Sequence, residues 1–505
     1  MKKFLILLLV AALAGYWYWA QQRAAQTPLT DAHAPKAVES VVHLRLPTFA
    51  LMLNPLKMSE IESRRVATLL HGGLIAVNKN GDASARLAKS WSQDGSNWLF
   101  ELRDDVRFSG GAVADANAVV SSLCANLQPS SPWAWALKSI KHETSADGKT
   151  VRCTGLVAQS ATKLSIEQSN AAPWLFNALA SPAGWVIANG AVEQPYGVLP
   201  GIGPYEIESI TADTRVVLRK RAGGVLTAGV DRVVFDYLPD GAVAAARFAQ
   251  GKLDALDIES PAIVQQLYAT GAPEWRFKSE ITGRTESAPA ERVRVVIVNE
   301  KKLASMGFGL AQIAGFKAQY EAAIDRAKIA AISQGLAASM LGSTLLDGAK
   351  VRPASSVALP SVELVLNMEP DAYSDLLAAS LPSVVGNVKI RYQGLDKGQL
   401  VGNLIKGEYD IMLMVIENPV KSDAFWTALF TQGNPFSAFG KGLAPESAYD
   451  LSNSVGIQAA AAKIDAEGNW IGVIREPRIM VFSKRLTGVY LSPSGQPNLE
   501  AIRVQ

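Results

Sequence analysis

Arg86-Leu87-Ala88-Lys89-Ser90-Trp91, then Asp94-Gly95, then Trp98-Leu99-Phe100-Glu101-Leu102-Arg103, running on through Val106 and Phe108 to Gly110-Gly111, is the stretch on which the fold turns. Trp98, Phe100 and Leu102 alternate with Leu99, Glu101 and Arg103, the two-residue period of a strand with unlike faces. Asp94-Gly95-Ser96 ahead of it supplies the turn chemistry of a hairpin. Past Gly111 the period changes. Asp115 is placed as an N-cap, and Val119, Val120, Leu123 and Cys124 make an apolar helical stripe. None of this has the pattern of a catalytic site.

Working outward, Leu69-Leu70-His71-Gly72-Gly73-Leu74 and Gly81 precede the stretch. With them it resembles the extracytoplasmic solute-binding proteins of family 5, which serve ABC importers of oligopeptides, dipeptides and nickel. That family reads "LLYEGL…G…P.LA.SW…DG..W.F.LR..V.F.DG.P.TA.DVVFS". This chain departs from it at His71, where an aromatic is usual, at Gly110 for the loop Asp, and at Ala118 for the helix Asp. Leu53-Asn54-Pro55-Leu56 is similar to the family's "LDP" turn, and Gly201-Ile202-Gly203-Pro204-Tyr205 to its "GTGPY". Gln250-Gly251-Lys252-Leu253-Asp254, Ala323-Ile324-Asp325-Arg326 and Lys406-Gly407-Glu408-Tyr409-Asp410 extend the resemblance over roughly 41–504. The Gly201–Tyr205 glycines read as a tight turn at a crossing between lobes. They are not a phosphate cradle, because alternating strands (Glu206–Ile210, Val216–Lys220) follow where a nucleotide loop needs a helix N-terminus.

The chain has 505 residues, 49% apolar and 19% charged, which is a globular composition of two or three domains. A net charge of +3 over this length, with no basic block, speaks against nucleic acid. Met1-Lys2-Lys3 followed by the apolar run from Phe4 to Ala14 is an export signal. Ala12-Leu13-Ala14 offers a cleavage site. Alternatively the run continues through Tyr16-Trp17-Tyr18-Trp19 to Ala20 as an uncleaved membrane anchor, which the aromatics favour. Tyr16 stands where a lipidated Cys would have to be. Residues 21–40 read as a tether, and Val41–Leu46 as the strand that opens the folded body. Cys124 and Cys153 lack metal-ligand spacing. An exported compartment permits a disulfide between them, and two buried thiols are the alternative. His33, His43, His71 and His142 are scattered. Trp133-Ala134-Trp135 and Pro173-Trp174-Leu175-Phe176 read as core or domain-interface packing rather than stacking platforms. Val151–Leu156 reads as one strand.

Toward the C-terminus, strands at Ser361–Leu366, Val388–Arg391 and Tyr409–Leu413 alternate with helices near Asp371–Leu381 and Lys397–Lys406. This βαβαβ order argues a mainly parallel sheet. The resemblance implies an α/β, two-lobed periplasmic binding protein fold (type II, cluster C-like) with an extra domain inserted in the first lobe and a hinge of two crossing strands. The division it implies is 1–20 signal or anchor, 21–40 tether, 41–75 with 188–291 and 488–505 as lobe 1, 76–187 as the extra domain, and 292–487 as lobe 2.

The resemblance also implies the function: capture of a peptide or similar small solute in the interlobe cleft for an inner-membrane ABC permease, by a periplasmic monomer without catalysis or cofactor. Its peptide-binding members pair an extended ligand with main chain on both lobes. Here Ser59, Glu60 and Ile61 match the first-lobe segment, and Val415, Ile416, Glu417 and Asn418 the second. The family's "GW..D" loop captures the peptide ammonium with its Asp. Val415 stands for the Trp and Asn418 for the Asp, with Glu417 one place earlier as a substitute carboxylate. A nickel-type metal or chelate binder and a membrane-tethered ligand-sensing or partner-binding module are the alternatives. A hydrolase lacks a G-x-S-x-G or any histidine with a partner pattern.

Overall fold

The body opens with strand β1 (Val41–Leu46) and helix α1 (Ile61–Leu70). A separate four-stranded antiparallel sheet follows, built from β2 (Ala88–Asp94), β3 (Asn97–Leu102), β4 (Leu156–Ser160) and β5 (Lys163–Glu167) in the order β2-β3-β5-β4. Gly95 turns the β2–β3 hairpin at φ +59°, and Phe100 and Leu102 point into the core as their spacing predicts. Helix α2 (Ala116–Leu127) covers that sheet, and the Asp115 side chain accepts a hydrogen bond from the backbone N–H of Ala118 at 2.9 Å. The expected strand at Val151–Leu156 is broken after Arg152. Cys153 leaves the ladder there and joins Cys124 of α2 in a disulfide with Cα atoms 5.8 Å apart. Trp133 and Trp174 are buried in this domain's core, and Phe176 packs edge-on to Trp98 at 4.6 Å.

The computed structural model describes residues 39–505 except 50, 59–60, 170–171, 173, 223–225, 227, 271–273, 337, 340–351, 371, 419–424, 427–453 and 493–494. The expected signal or anchor and most of the tether lie outside the described residues. Among those described, no helix is long and apolar enough to cross a membrane.

The main sheet takes up the chain again at β6 (Tyr205–Thr211), β7 (Arg215–Lys220), β8 (Arg232–Tyr237), β9 (Ala255–Asp257) and β10 (Arg284–Val298). It continues with β11 (Glu363–Met368), β12 (Val388–Gly394), helix α3 (Lys397–Lys406), β13 (Ile411–Glu417), helix α4 (Ser454–Glu467) and β14 (Trp470–Phe482). The strand order is β6-β7-β8-β1-β9-β14-β10-β13-β11-β12, ending on Val384–Val385. β11 pairs in parallel with both β12 and β13, as the βαβαβ reading requires.

Two strands, β10 and β14, carry the sheet from one lobe into the other. They run antiparallel from Arg284↔Phe482 to Ile297↔Trp470, with a register shift between Ala288 and Arg292. Their sequences explain the crossing. Val293–Val298 and Trp470–Ile474 are apolar runs buried in the second lobe's core, while Ile479–Phe482 is buried in the first lobe's. Between them stand Arg475-Glu476-Pro477-Arg478, and Pro477, with no N–H to donate, falls at the register shift. Charged residues therefore occupy the middle of both strands, where the two cores part.

The glycines of Gly201–Tyr205 serve a different purpose from the one their motif suggested. A Cβ at Gly201 would stand 2.1 Å from the Leu70 carbonyl oxygen, and one at Gly203 would stand 2.3 Å from that of Leu69. They let this loop close on the C-terminal end of α1, where the Gly203 N–H donates to the Leu70 carbonyl at 2.9 Å. The loop is a cap on α1 rather than a turn at the lobe crossing.

Candidate functional site: the seam between the lobes

The second-lobe segment expected to meet ligand lies on β13 and the residue after it. Its partner β10 holds one edge, pairing Val415 with Arg294, Ile416 with Val293 and Glu417 with Arg292. On the other edge β11 reaches only Ile411 and Met412. Among the described residues, then, no strand takes up the outer backbone groups from Leu413 to Glu417. A strand left unpaired on one side is a template for an added strand.

Side-chain direction along β13 follows the two-residue period. Ile416 packs into a core with Phe425, Trp426 and Leu400. Glu417 points the other way, into the seam, and its side chain is only 5% exposed. Asn418 is buried. Ser59 and Glu60 lie outside the described residues, and Ile61 begins α1, with its side chain likewise outside them.

The seam itself is a row of buried ion pairs that the sequence reading did not anticipate. Arg64 of α1 places Nη2 2.5 Å from Glu417 Oε2, a contact from the first lobe to the second. Arg478 of β14 holds the other Glu417 oxygen at 3.4 Å and also Asp257 Oδ1 at 2.8 Å. Arg65, next to Arg64, pairs with Asp257. Arg292 and Arg294 both hold Glu476, at 3.0 and 2.5 Å. Arg45 holds Glu259 at 2.5 Å.

Burial works against the Arg65 guanidinium, but Asp257, Glu62, Glu259 and Glu417 outweigh it and hold its pKa above the ordinary value. The same holds for Arg292, through Glu476 and Glu417. Burial pushes Asp257 up to about 6 against the pull of Arg65. The signal for this network was present in the sequence: Arg64-Arg65 within a helix, and Arg292, Arg294, Glu476 and Arg478 inside otherwise apolar strands. Such charges are rarely buried without partners.

Two apolar contacts join the second lobe to the inserted domain. Trp135 lies 5.0 Å from Phe425, ring centre to ring centre. Ile457 and Ala460 of α4 belong to the core of the inserted domain. The aromatic pair Trp133-Trp135 is thus split between two tasks. Trp133 is core and donates Nε1–H to the Pro55 carbonyl at 2.9 Å, while Trp135 meets the other lobe.

Comparison with known proteins bears on the family and the fold. The family described as "Bacterial extracellular solute-binding proteins, family 5 Middle" matches residues 82–365, more than half of the chain. The periplasmic murein peptide-binding protein MppA of Escherichia coli K12 is 29% identical over 207 residues, covering 39% of this chain and 38% of that protein. The nickel-binding periplasmic protein of the same organism is 26% identical over 198 residues, covering 37% and 36%. The chain thus spans little more than a third of the length of the curated relatives it matches. The structure of Haemophilus influenzae OppA in complex with RPPGFSPFR superposes with a TM-score of 0.75 at 14% identity, covering 92% of this chain and 99% of that one. The fold is the two-lobed one of those binding proteins, with an extra domain in the first lobe, and the chain belongs to the bacterial extracellular solute-binding proteins, family 5.

Proposed function

We propose that the protein is the extracytoplasmic substrate-binding component of an ABC importer, and that it captures a peptide or a similar small solute between its lobes. The outer edge of β13 from Leu413 to Glu417, unpaired among the described residues, carries this reading. An extended peptide added there would satisfy those backbone groups with little regard for its sequence. Ser59, Glu60 and Ile61 would meet it from the first lobe, and Val415, Ile416, Glu417 and Asn418 from the second. The lobes divide at about 41–75, 188–291 and 488–505 against 292–487, with 76–187 as the extra domain. The working unit is a monomer that delivers to an inner-membrane permease, tethered or released according to the fate of residues 4–20.

Glu417 has a changed role in this proposal. Both of its oxygens meet guanidinium groups, so it serves the contact between lobes rather than a ligand ammonium. Recognition then falls to main chain along β13, through neutral hydrogen bonds about half as strong as charge-assisted ones. Native mass spectrometry with a mixed tripeptide library and its N-acetylated counterpart tests this. The expected result is one peptide per chain from both libraries. A loss of more than about tenfold on acetylation, about 1.4 kcal/mol, would restore ammonium capture, and no peptide from either library would overturn the peptide reading.

A further inference from the structure

A cavity of about 400 Å³ is lined, among the described residues, by the first lobe and its inserted domain. Its walls come from α1, from the segment that leads into the inserted domain, from 177–185 on the way back, and from Ser492 and Gln496 to Glu500 near the C-terminus. Arg64 and His71 reach it from one face of the helical register, at i and i+7. None of the described lining residues belongs to the second lobe.

Its walls hold buried polar atoms without hydrogen-bond partners. His71 is fully buried, and only one of its ring nitrogens has a group in reach, the Leu53 backbone. The ring stacks on Trp185 at 5.9 Å and 17°. Arg64 Nε, Arg86 Nε and Gln496 Nε2 are buried without a partner. Native interiors rarely leave such groups unmet. Arg64, Arg86 and Gln496 offer N–H donors, so the matching chemistry is a ligand rich in acceptors, with Glu500 Oε1 left as acceptor for a donor of its own. The formal charges nevertheless cancel: Glu500 holds Arg86 at 2.6 Å, and Glu417 holds Arg64 at 2.5 Å. A net anion would upset that balance, whereas a zwitterion keeps it. The volume lies in the range of pockets for small organic ligands.

We propose that this cavity is a second ligand site, separate from the interlobe cleft, and that it takes a free amino acid as its zwitterion. The carboxylate accepts from Arg64, Arg86 and Gln496, the ammonium faces Glu500, and the side chain lies against the Trp185–His71 stack. Arg64 also holds Glu417, so the site stands one side chain away from the contact between lobes.

Calorimetry of the full chain against each proteinogenic amino acid tests the proposal. At least one should bind at one per chain. Gln496→Leu, and separately Arg86→Gln combined with Glu500→Gln, should each weaken it about tenfold or more, the loss of a hydrogen bond to a charged group. Asn418→Ala, in the other site, should leave this affinity within about twofold. A crystal of the unaltered protein soaked in that amino acid should show it between Gln496 and Trp185, a result that does not depend on any variant folding. Binding no tighter than about 10 mM by every amino acid, affinity insensitive to both first-lobe variants, or density only in the interlobe cleft would each overturn the proposal.

Discussion

The seam between the lobes and the cavity inside the first lobe both bury charge, and they treat it in opposite ways. Across the seam Arg64, Arg65, Arg478, Arg292 and Arg294 each face a carboxylate, and each of the three carboxylates, Glu417, Asp257 and Glu476, is shared by two guanidinium groups. In the cavity Arg86 and Gln496 have buried nitrogens without a hydrogen-bond partner. The difference teaches what each region is for. Two of these pairs, Arg64–Glu417 and Arg478–Asp257, join the lobes and are matched only when the lobes meet, while the others brace each lobe's own side of the seam. Polar atoms unmatched inside one lobe cannot be answered by any lobe movement, since everything around them belongs to the same lobe.

The largest effect should come from unbalancing the seam. Glu417→Ala leaves Arg64 buried without its carboxylate and Arg478 with Asp257 alone, and breaking a buried pair in this way costs about 3–5 kcal/mol. That cost falls on the closed arrangement, so the variant should expand in small-angle scattering. Replacing Glu417, Arg64 and Arg478 together by Met should restore the compact form, because the charges leave as a set. If Glu417→Ala scatters like the parent, the seam is not what holds the lobes together.

Next comes the cavity wall. Burial lowers the His71 pKa from 6.5 to about 4, with Arg86 adding to the effect. The unfolded chain therefore takes up a proton that the folded one refuses. Stability due to this group is complete above pH 6.5 and is lost as pH falls toward 4, by roughly 3 kcal/mol in all. His71→Phe removes that loss, so urea midpoints of the variant and parent should diverge steadily between those pH values. Parallel curves would mean that His71 is not held neutral.

The smallest effect calibrates the other two. Asp115→Ala removes one cap hydrogen bond on α2, remote from both regions, and should cost about 1 kcal/mol. A loss as large as that of Glu417→Ala would show that the inserted domain is too marginal to isolate the seam.

How much of this the sequence shows depends on range. The β3 alternation, the Asp115 cap, helix α3 and the β11–β13 crossovers rest on neighbours within a few residues, and they were legible from period and turn chemistry. The Cys124–Cys153 bond was legible only as a permitted option. Arg64 and Glu417 are 353 positions apart, and no local pattern couples them. Gly201 and Gly203 were legible as tight glycines, but the carbonyls they make room for, on Leu69 and Leu70, are again remote in the chain. The β13 edge could be placed only through the family resemblance, because a free edge depends on where β11 stops.

That edge is the central claim, and hydrogen exchange measures it most directly. The amides from Leu413 to Asn418 should be followed in the protein alone and with a peptide captured from the mixed tripeptide library. Alternate amides, those not already bonded to β10, should gain protection with peptide bound, as when a strand is added, while their neighbours stay unchanged. A peptide that binds one per chain and leaves exchange from Leu413 to Asn418 untouched would contradict the account.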